Sequence, residues 1–257
     1  GGSADMVEWL YKKDGIKSEQ PARTAERGIC METILLHGLG QTADSFSLTA
    51  RWMGMGGRKW GGARCPALGS LMQGEAAYPA LYRGFSDYCA EFEGPLALAG
   101  LSLGGILALD YTIQNPGRVG ALVLIAAPYK MPKKMLAVQD FLFRLMPKGA
   151  FKGMGFSKEE VRSLTRSMKD LDFTGGLPSV EAPVLLVCGG KDNQNMPSME
   201  ALQKHLPEAD LVIFEHAGHE VNVDEPERLG DLLIESSETA EQADYKTKRR
   251  QPSTSCP

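Results

Sequence analysis

Five short apolar runs, with polar or helix-like stretches between them, restrict this chain to few folds. The runs cover residues 33–36, 96–101, 121–126, 184–188 and 211–214. Their apolar residues are continuous instead of alternating with polar ones, which is typical of strands that helices cover on both faces. Strands that alternate with helices predict an α/β protein with a mostly parallel sheet and right-handed crossovers.

Helix-like stretches occupy most of the intervals between these runs. They cover residues 82–92, 103–114, 198–206 and 226–236, and a further strand is expected near residues 62–68. With 257 residues and 43% hydrophobic content, the chain is long enough for one sizeable core that carries an inserted subdomain.

The pattern also predicts where the core begins and ends. We expect the core in residues 33–128 and 174–236, and a polar, disordered tail in residues 237–257. Residues 1–32 are expected to hold an expression remnant followed by a short hairpin or loop.

Residues 129–173 break the alternation of strands and helices. The segment is rich in aromatic residues and methionine, and residues 130–173 hold ten Lys and Arg against five Asp and Glu. We expect a small helical lid here, in which Phe141, Phe143 and Met146 contact substrate. The alternative is a pair of ordinary crossover helices whose apolar residues belong to the core.

Composition excludes several classes of protein. The net charge of −4 argues against a general nucleic-acid binder. No apolar run approaches the roughly 18 to 20 residues of a membrane span, and no secretory signal is evident. The five cysteines are scattered without metal-ligand spacing, which favours reduced thiols in a cytoplasmic protein and no metal site.

The segment Gly100-Leu101-Ser102-Leu103-Gly104 carries the first sign of chemistry. It connects the apolar run 96–101 to the helix-like stretch 103–114. A strand that turns sharply into a helix through G-x-S-x-G holds its serine strained and exposed, because glycines remove the side chains that would collide. Ser102 is therefore a candidate nucleophile, although a glycine-rich turn is common in any α/β protein.

A serine hydroxyl needs a base to take its proton, and the base needs a third group to orient it. Of the four histidines, His219 is the best candidate base, because it follows Gly218 on a loop at the carboxyl end of the last strand. His216 is closer to the strand and more consistent with a structural role. Asp192, on the loop after residues 184–188, is the candidate orienting acid; an ordinary surface aspartate in a polar loop is the alternative.

The negative charge that develops on a tetrahedral intermediate needs fixed N–H donors. Leu103 offers its backbone N–H at the start of a helix. The segment His37-Gly38-Leu39-Gly40, after the first strand, makes the Leu39 N–H the second candidate donor. A glycine turn that only reverses the chain is the alternative for this segment.

Taken together, these motifs resemble the α/β-hydrolase superfamily, and most closely its compact lidded branch of haloperoxidase-like esterases and meta-cleavage C–C hydrolases. The chain order Ser102, Asp192, His219 matches that superfamily. The matching signatures are H-G-x-G at 37–40, G-x-S-x-G-G at 100–105, G-x-x-D at 189–192, and Ala217-Gly218-His219 followed by Glu225-Pro226-Glu227. The resemblance implies an α/β-hydrolase fold and neither a metal nor an organic cofactor. Because only about 32 residues precede the first apolar run, we expect the antiparallel strands that open this fold to be shortened to one hairpin or lost.

We therefore expect a serine hydrolase that cleaves a small or medium carboxylic ester with an apolar group through an acyl-enzyme. Its partner is a small-molecule substrate, without nucleic acid or a membrane span. A C–C bond, thioester or amide hydrolase on the same triad is an alternative, because the fold does not select among these reactions. A ligand-binding protein that does no chemistry is another.

Overall fold

The computed structural model describes residues 31–54, 63–72, 74–131, 144–145, 147, 151 and 156–250, with side chains as far as residue 240. The expected substrate contacts Phe141, Phe143 and Met146 lie outside these residues, as do residues 1–30 of the expected N-terminal segment.

The described part of the chain contains a five-stranded sheet in which all strands run parallel and neighbour one another in chain order. The strands are β1 (Glu32–Leu36), β2 (Leu96–Leu101), β3 (Val119–Ile125), β4 (Val184–Gly189) and β5 (Asp210–Phe214). Each strand lies on one of the predicted apolar runs, so the predicted parallel α/β sheet is confirmed.

Helices cover both faces of this sheet. They are α1 (Ser47–Gly54), α2 (Leu68–Leu71), α3 (Tyr78–Ala90), α4 (Leu103–Gln114), α5 (Lys158–Ser167), α6 (Met196–His205), α7 (Val221–Asp224) and α8 (Pro226–Arg250). Successive side chains of a strand point to opposite faces. Accordingly Ile34 and Leu36 pack in the cluster that contains α3, α4 and α6, whereas Leu35 packs in the cluster that contains α1 and α8.

Helix α4 is the most enclosed helix that follows a strand. Its residues 103–112 are all buried, and it contacts β1, β2 and β3 on one side and α3 on the other. A helix with protein on every side is apolar around its whole circumference. The segment after Ser102 is therefore held rigidly against the sheet.

The expected strand near residues 62–68 is wrong. Arg64 forms a single parallel bridge with Ile34, through hydrogen bonds from Leu35 N to Arg64 O and from Arg64 N to Thr33 O. Pro66 lacks the N–H that a longer ladder needs, and helix α2 begins at Leu68.

This bridge marks a reversal of strand order. After β1 the chain passes Arg64 on one side of β1 and then returns to form β2 on the other side. Proteins of the α/β class bind ligands at the carboxyl ends of the strands where the order reverses in this way. In this chain, that position lies between the ends of β1 and β2.

The two ends of the segment 129–173 lie side by side. Met131 N donates to Leu171 O and Phe173 N donates to Tyr129 O, which forms an antiparallel bridge between Lys130 and Asp172. Within the described part of the segment, Phe151 and Phe156 are buried in the core with residues of α5, while Leu145 is exposed.

The expected disordered tail from residue 237 is wrong as far as residue 250, because α8 continues to Arg250. Ser237 and Ala240 are buried, and they extend the buried stripe of Leu233 by about two further turns. Ser237 Oγ donates to Leu233 O, which satisfies the hydroxyl inside the helix. Small side chains at these positions let the helix continue across the sheet beside Ala97 and Ala121.

Among the described helices, none is long and apolar enough to cross a membrane.

Candidate active site

Ser102 lies at the sharp turn between β2 and α4. Its φ of 51° and ψ of −112° are unfavourable for a residue with a side chain, and the conformation costs on the order of 1–3 kcal/mol. The hydrogen bond from Ser102 N to Ile125 O, 2.9 Å, ties the turn to β3. The side chain is half-buried at the carboxyl edge of the sheet.

The glycines around Ser102 allow α4 to lie unusually close to the strands. A Cβ at Gly100 would lie 2.3 Å from the backbone of Gly104, and one at Gly104 would lie 2.2 Å from Leu36 O. A Cβ at Gly105 would lie 2.4 Å from the Cβ of Ala127. The G-x-S-x-G-G sequence is therefore required by packing on three strands as well as by the turn.

The His37–Gly40 loop lies against this turn. A Cβ at Gly38 would lie 3.6 Å from Ser102 Cβ, so the loop and the serine are direct neighbours. Gly38 N donates to the Gln41 side chain. Within the described residues, the N–H groups of Leu39 and Leu103 have no acceptor in the protein, so both candidate oxyanion donors are available to a ligand.

A short hydrogen bond joins Asp192 and His219 at this edge of the sheet. Asp192 Oδ2 accepts from His219 Nδ1 at 2.7 Å, and the Asp192 side chain is only 5% exposed against 41% for His219. Burial opposes ionisation of Asp192 and is the largest single effect. The hydrogen bonds from His219 and Asn195 together outweigh it, and the pKa of the carboxyl lies below its usual value.

Two glycines make this pair possible. A Cβ at Gly189 would lie 1.9 Å from Gly218 O, and one at Gly190 would lie 2.9 Å from Glu215 Cα. The chain leaving β4 therefore runs directly beside the chain leaving β5, and Lys191 N donates to Ala217 O at 3.0 Å. This close approach places the Asp192 loop next to His219.

Asn195 belongs to this pair, and the sequence analysis missed it. Its Nδ2 donates to Asp192 Oδ1 at 3.0 Å and to Oδ2 at 2.9 Å, and lies 3.2 Å from His219 Nδ1. Its backbone N donates to Asp192 Oδ1 at 3.2 Å. The spacing D-x-x-N at the start of α6 is a capping pattern that marks Asn195 as a partner of Asp192.

The other histidines have different surroundings. His37 is buried, with Nδ1 donating to Gly38 O at 2.9 Å and Nε2 accepting from Leu68 N at 3.1 Å, so its ring is neutral and joins β1 to α2. Burial lowers the pKa of His37. His216 is exposed, and His205 packs against the Tyr129 ring at 5.3 Å.

Ser102, Asp192 and His219 thus follow β2, β4 and β5 at one edge of the sheet. The structure joins Asp192 to His219; no hydrogen bond joins Ser102 to His219 among the described residues. His219 Nε2 also has no partner there, so it remains available to a hydroxyl or a substrate. No group of three His, Cys, Asp or Glu side chains within the described part of the chain is arranged to hold a metal ion.

Comparison with known proteins places this geometry in context. The profile described as the Alpha/beta hydrolase family matches residues 33–232. The pimeloyl-[acyl-carrier protein] methyl ester esterase of Aromatoleum aromaticum is 25% identical over 244 residues, which cover 79% of this chain and 96% of that protein. The putative 2-succinyl-6-hydroxy-2,4-cyclohexadiene-1-carboxylate synthase of Bacillus subtilis is 26% identical over 54% of this chain and 64% of that protein.

Solved structures agree at the level of the fold. A carboxylesterase structure from Nitrososphaera gargenis superposes with a TM-score of 0.67 at 17% identity, covering 84% of this chain and 93% of that one.

Proposed function

The chain belongs to the alpha/beta hydrolase family, and from that premise we propose that it is a serine hydrolase acting on carboxylic esters. The names of its relatives and structural neighbours support an esterase among the hydrolases of this fold. In this proposal Ser102 is the nucleophile, His219 is the base and Asp192 orients the base.

The contact between Asp192 and His219 carries the proposal. An ionised carboxylate that accepts from Nδ1 fixes the imidazole tautomer with its lone pair on Nε2. Because the pKa of Asp192 lies below its usual value, the carboxylate is ionised at neutral pH. Asp192 is buried, whereas the His219 ring is partly exposed, so His219 Nε2 can contact a substrate.

The reaction follows from these positions. Ser102 Oγ attacks the ester carbonyl carbon and its proton passes to His219 Nε2, while the carbonyl oxygen gains the negative charge. The N–H groups of Leu39 and Leu103 hold that oxygen. Collapse of the intermediate breaks the ester C–O bond, and the leaving alkoxide takes the proton from Nε2. A water molecule then loses a proton to Nε2 and attacks the acyl carbon. The second intermediate collapses, the bond from that carbon to Ser102 Oγ breaks, and Oγ takes the proton back from Nε2, which releases the acid and restores Ser102.

We propose that the segment 129–173 covers this site and favours an apolar acyl or alcohol group. Phe141, Phe143 and Met146 are the proposed contacts. The proposed substrate is an ester of small or medium size; the name of the Aromatoleum relative gives a methyl ester whose pimeloyl group is carried on an acyl-carrier protein.

A fluorophosphonate probe and a panel of esters test the proposal. We expect one covalent adduct on Ser102 by mass spectrometry, and turnover of p-nitrophenyl acetate or butyrate that is lost in Ser102→Ala. Ser179→Ala is the matched control, because Ser179 is exposed and its hydroxyl only bonds Gly176 O. Turnover that survives Ser102→Ala refutes the mechanism.

Graded substrates separate the alternatives on the same triad. Ester hydrolysis is measured on methyl and p-nitrophenyl esters from acetate to laurate. Thioester and amide hydrolysis are measured on matched thioesters and anilides, and C–C hydrolysis on a 2-hydroxy-6-oxo-dienoate. We expect the highest kcat/KM on an ester. Absence of labelling and of turnover across the panel favours a ligand-binding protein.

A further inference from the structure

Two buried amide side chains lie beside the proposed site, and the mechanism above does not use them. Gln41 follows the His37–Gly40 loop, and Asn222 lies on α7, three residues after His219. They are 6% and 1% exposed. Gln41 Nε2 donates to Asn222 Oδ1 at 3.1 Å, and Asn222 Nδ2 donates to Gln41 Oε1 at 3.3 Å.

Backbone groups at the two ends of this amide pair fix which way each amide faces. Gly38 N is a donor and lies 3.2 Å from Gln41, so Gln41 must present its oxygen there. Ser45 O is an acceptor and lies 3.1 Å from Asn222, so Asn222 must present its nitrogen there. The orientation of both amides therefore follows from groups that cannot exchange roles.

The amide pair connects the two loops that the reaction depends on. On one side it holds the backbone of Gly38, which adjoins Ser102 and precedes the proposed donor Leu39. On the other side it holds α7. Gly218 N donates to Asp224 Oδ2 at 2.7 Å, so the same short helix also anchors the residue before His219.

We propose that Gln41 and Asn222 are positioning residues that set the distance between the oxyanion donor at Leu39 and the base His219. This inference rests on the proposed function. The pair spans 181 positions in sequence and is buried, so solvent cannot replace its hydrogen bonds when one partner is removed.

The expected effect falls on the transition state more than on substrate binding. The Leu39 N–H and His219 Nε2 act together only when charge develops on the carbonyl oxygen and the serine proton moves. A misplacement of one group by about 1 Å lowers the rate by up to about 100-fold. Breaking the amide pair is therefore expected to lower kcat about 10- to 100-fold while KM stays within about twofold.

A double-mutant cycle on kcat tests this coupling. The variants are Gln41→Leu, Asn222→Leu and the double variant, with p-nitrophenyl butyrate as substrate. Because each single variant breaks the same amide pair, the double variant is expected to lose no more kcat than either single one. Losses that multiply across the two sites contradict the coupling.

Gln41→Glu serves as a second variant, with a side chain of nearly the same shape. It retains an acceptor for Gly38 N but offers no donor to Asn222 Oδ1, so kcat is expected to fall as in Gln41→Leu. Tyr78→Phe is the control for stability, because it removes another buried hydrogen bond, from Tyr78 Oη to Asp110 Oδ2 at 2.9 Å, between α3 and α4. Its melting temperature is expected to fall without a change in kcat; an equal fall in kcat there contradicts a specific role for the amide pair.

Hydrogen exchange gives a readout that does not require catalysis. Gln41→Leu is expected to accelerate exchange in residues 216–225, and Asn222→Leu in residues 37–46, while Tyr78→Phe changes neither. If the wild-type protein is labelled at Ser102 but hydrogen exchange is unchanged in these variants, this inference alone is overturned. If the wild-type protein is not labelled and does not hydrolyse esters, the proposed function is overturned, and the positioning role with it.

Discussion

Replacing Asn195 by leucine isolates the support that this side chain gives to Asp192. Asn195→Leu keeps a side chain of similar size and removes the Nδ2 donor that lies 3.0 and 2.9 Å from the two carboxylate oxygens. The backbone donor of Asn195 and the Nδ1 donor of His219 remain. The variant therefore removes one of three donors from a carboxylate that is almost fully buried.

The magnitude follows from the cost of losing a hydrogen bond to a buried charge, about 1.5–3 kcal/mol. Two donors remain, so the loss in unfolding free energy at pH 7 is expected at the lower end, about 1.5 kcal/mol. If a similar amount is lost from the transition state, kcat falls about tenfold, because about 1.4 kcal/mol is a factor of ten in rate.

The sign of the pH dependence is fixed by the direction of the Asp192 pKa. A carboxyl with a lowered pKa in the folded state contributes stability above its unfolded value, near 3.9, and loses that contribution as the pH falls through the folded value. Removing a donor raises the pKa of Asp192. The difference in stability between wild type and Asn195→Leu is therefore expected to be full above about pH 5 and to shrink on acidification.

Urea unfolding at pH 7 and pH 4, together with kcat on p-nitrophenyl butyrate, measures both effects. Asn195→Asp places a second carboxylate beside Asp192 and is expected to lower kcat further than leucine does. Asn193→Ala is the control, because Asn193 is an exposed neighbour. If Asn195→Leu matches Asn193→Ala in both stability and kcat, the assigned role of Asn195 is refuted.

Three further substitutions test features around the site. His37 is neutral in the folded protein and its pKa is lowered, so the unfolding free energy should fall as the pH drops below about 6.5, where the unfolded chain gains a proton. In urea unfolding, His37→Gln should reduce the dependence of the unfolding free energy on pH. An unchanged pH dependence contradicts this account. Ser102→Gly should be more stable than Ser102→Ala by about 1 kcal/mol, because glycine accepts a positive φ. Both variants should be inactive. Equal melting temperatures argue against strain at the turn. Thr33 Oγ1 is buried without a partner among the described residues, so Thr33→Val should raise the unfolding free energy by about 1 kcal/mol. A loss of stability would show that the hydroxyl has a hydrogen-bond partner.

The features that the sequence predicts well are local ones. Each strand lies on a continuous apolar run, and α4 coincides with the helix-like stretch 103–114, which lies between Ser102 and Asn115. Asp192 and His219 were predicted from their places after strands, because parallel strands end at one edge of the sheet. The contact between them then depends on Gly189, which lets the two loops meet.

The features that the sequence does not predict depend on distant partners. Ala240 packs in one buried cluster with Met31, Ala97 and Ala121, and nothing near it in the sequence signals that surface on the sheet. Gln41 and Asn222 are ordinary polar residues until the fold brings them together from opposite ends of the chain. The contacts of Phe141, Phe143 and Met146, and the role of residues 129–173 as a cover, stay predictions.

The bridge between Lys130 and Asp172 has a consequence for how new specificity can arise on this scaffold. The segment departs and returns through adjacent hydrogen bonds, so its two ends keep one spacing whatever the length of chain between them. Phe151, Phe156 and α5 also pack in the core, so only the parts of the segment outside that packing can take insertions or a grafted sequence and leave the ends of β2, β4 and β5 undisturbed. If residues 129–173 cover the site as proposed, substrate preference and chemical machinery are encoded in different stretches of chain, and the first can change while the second is kept.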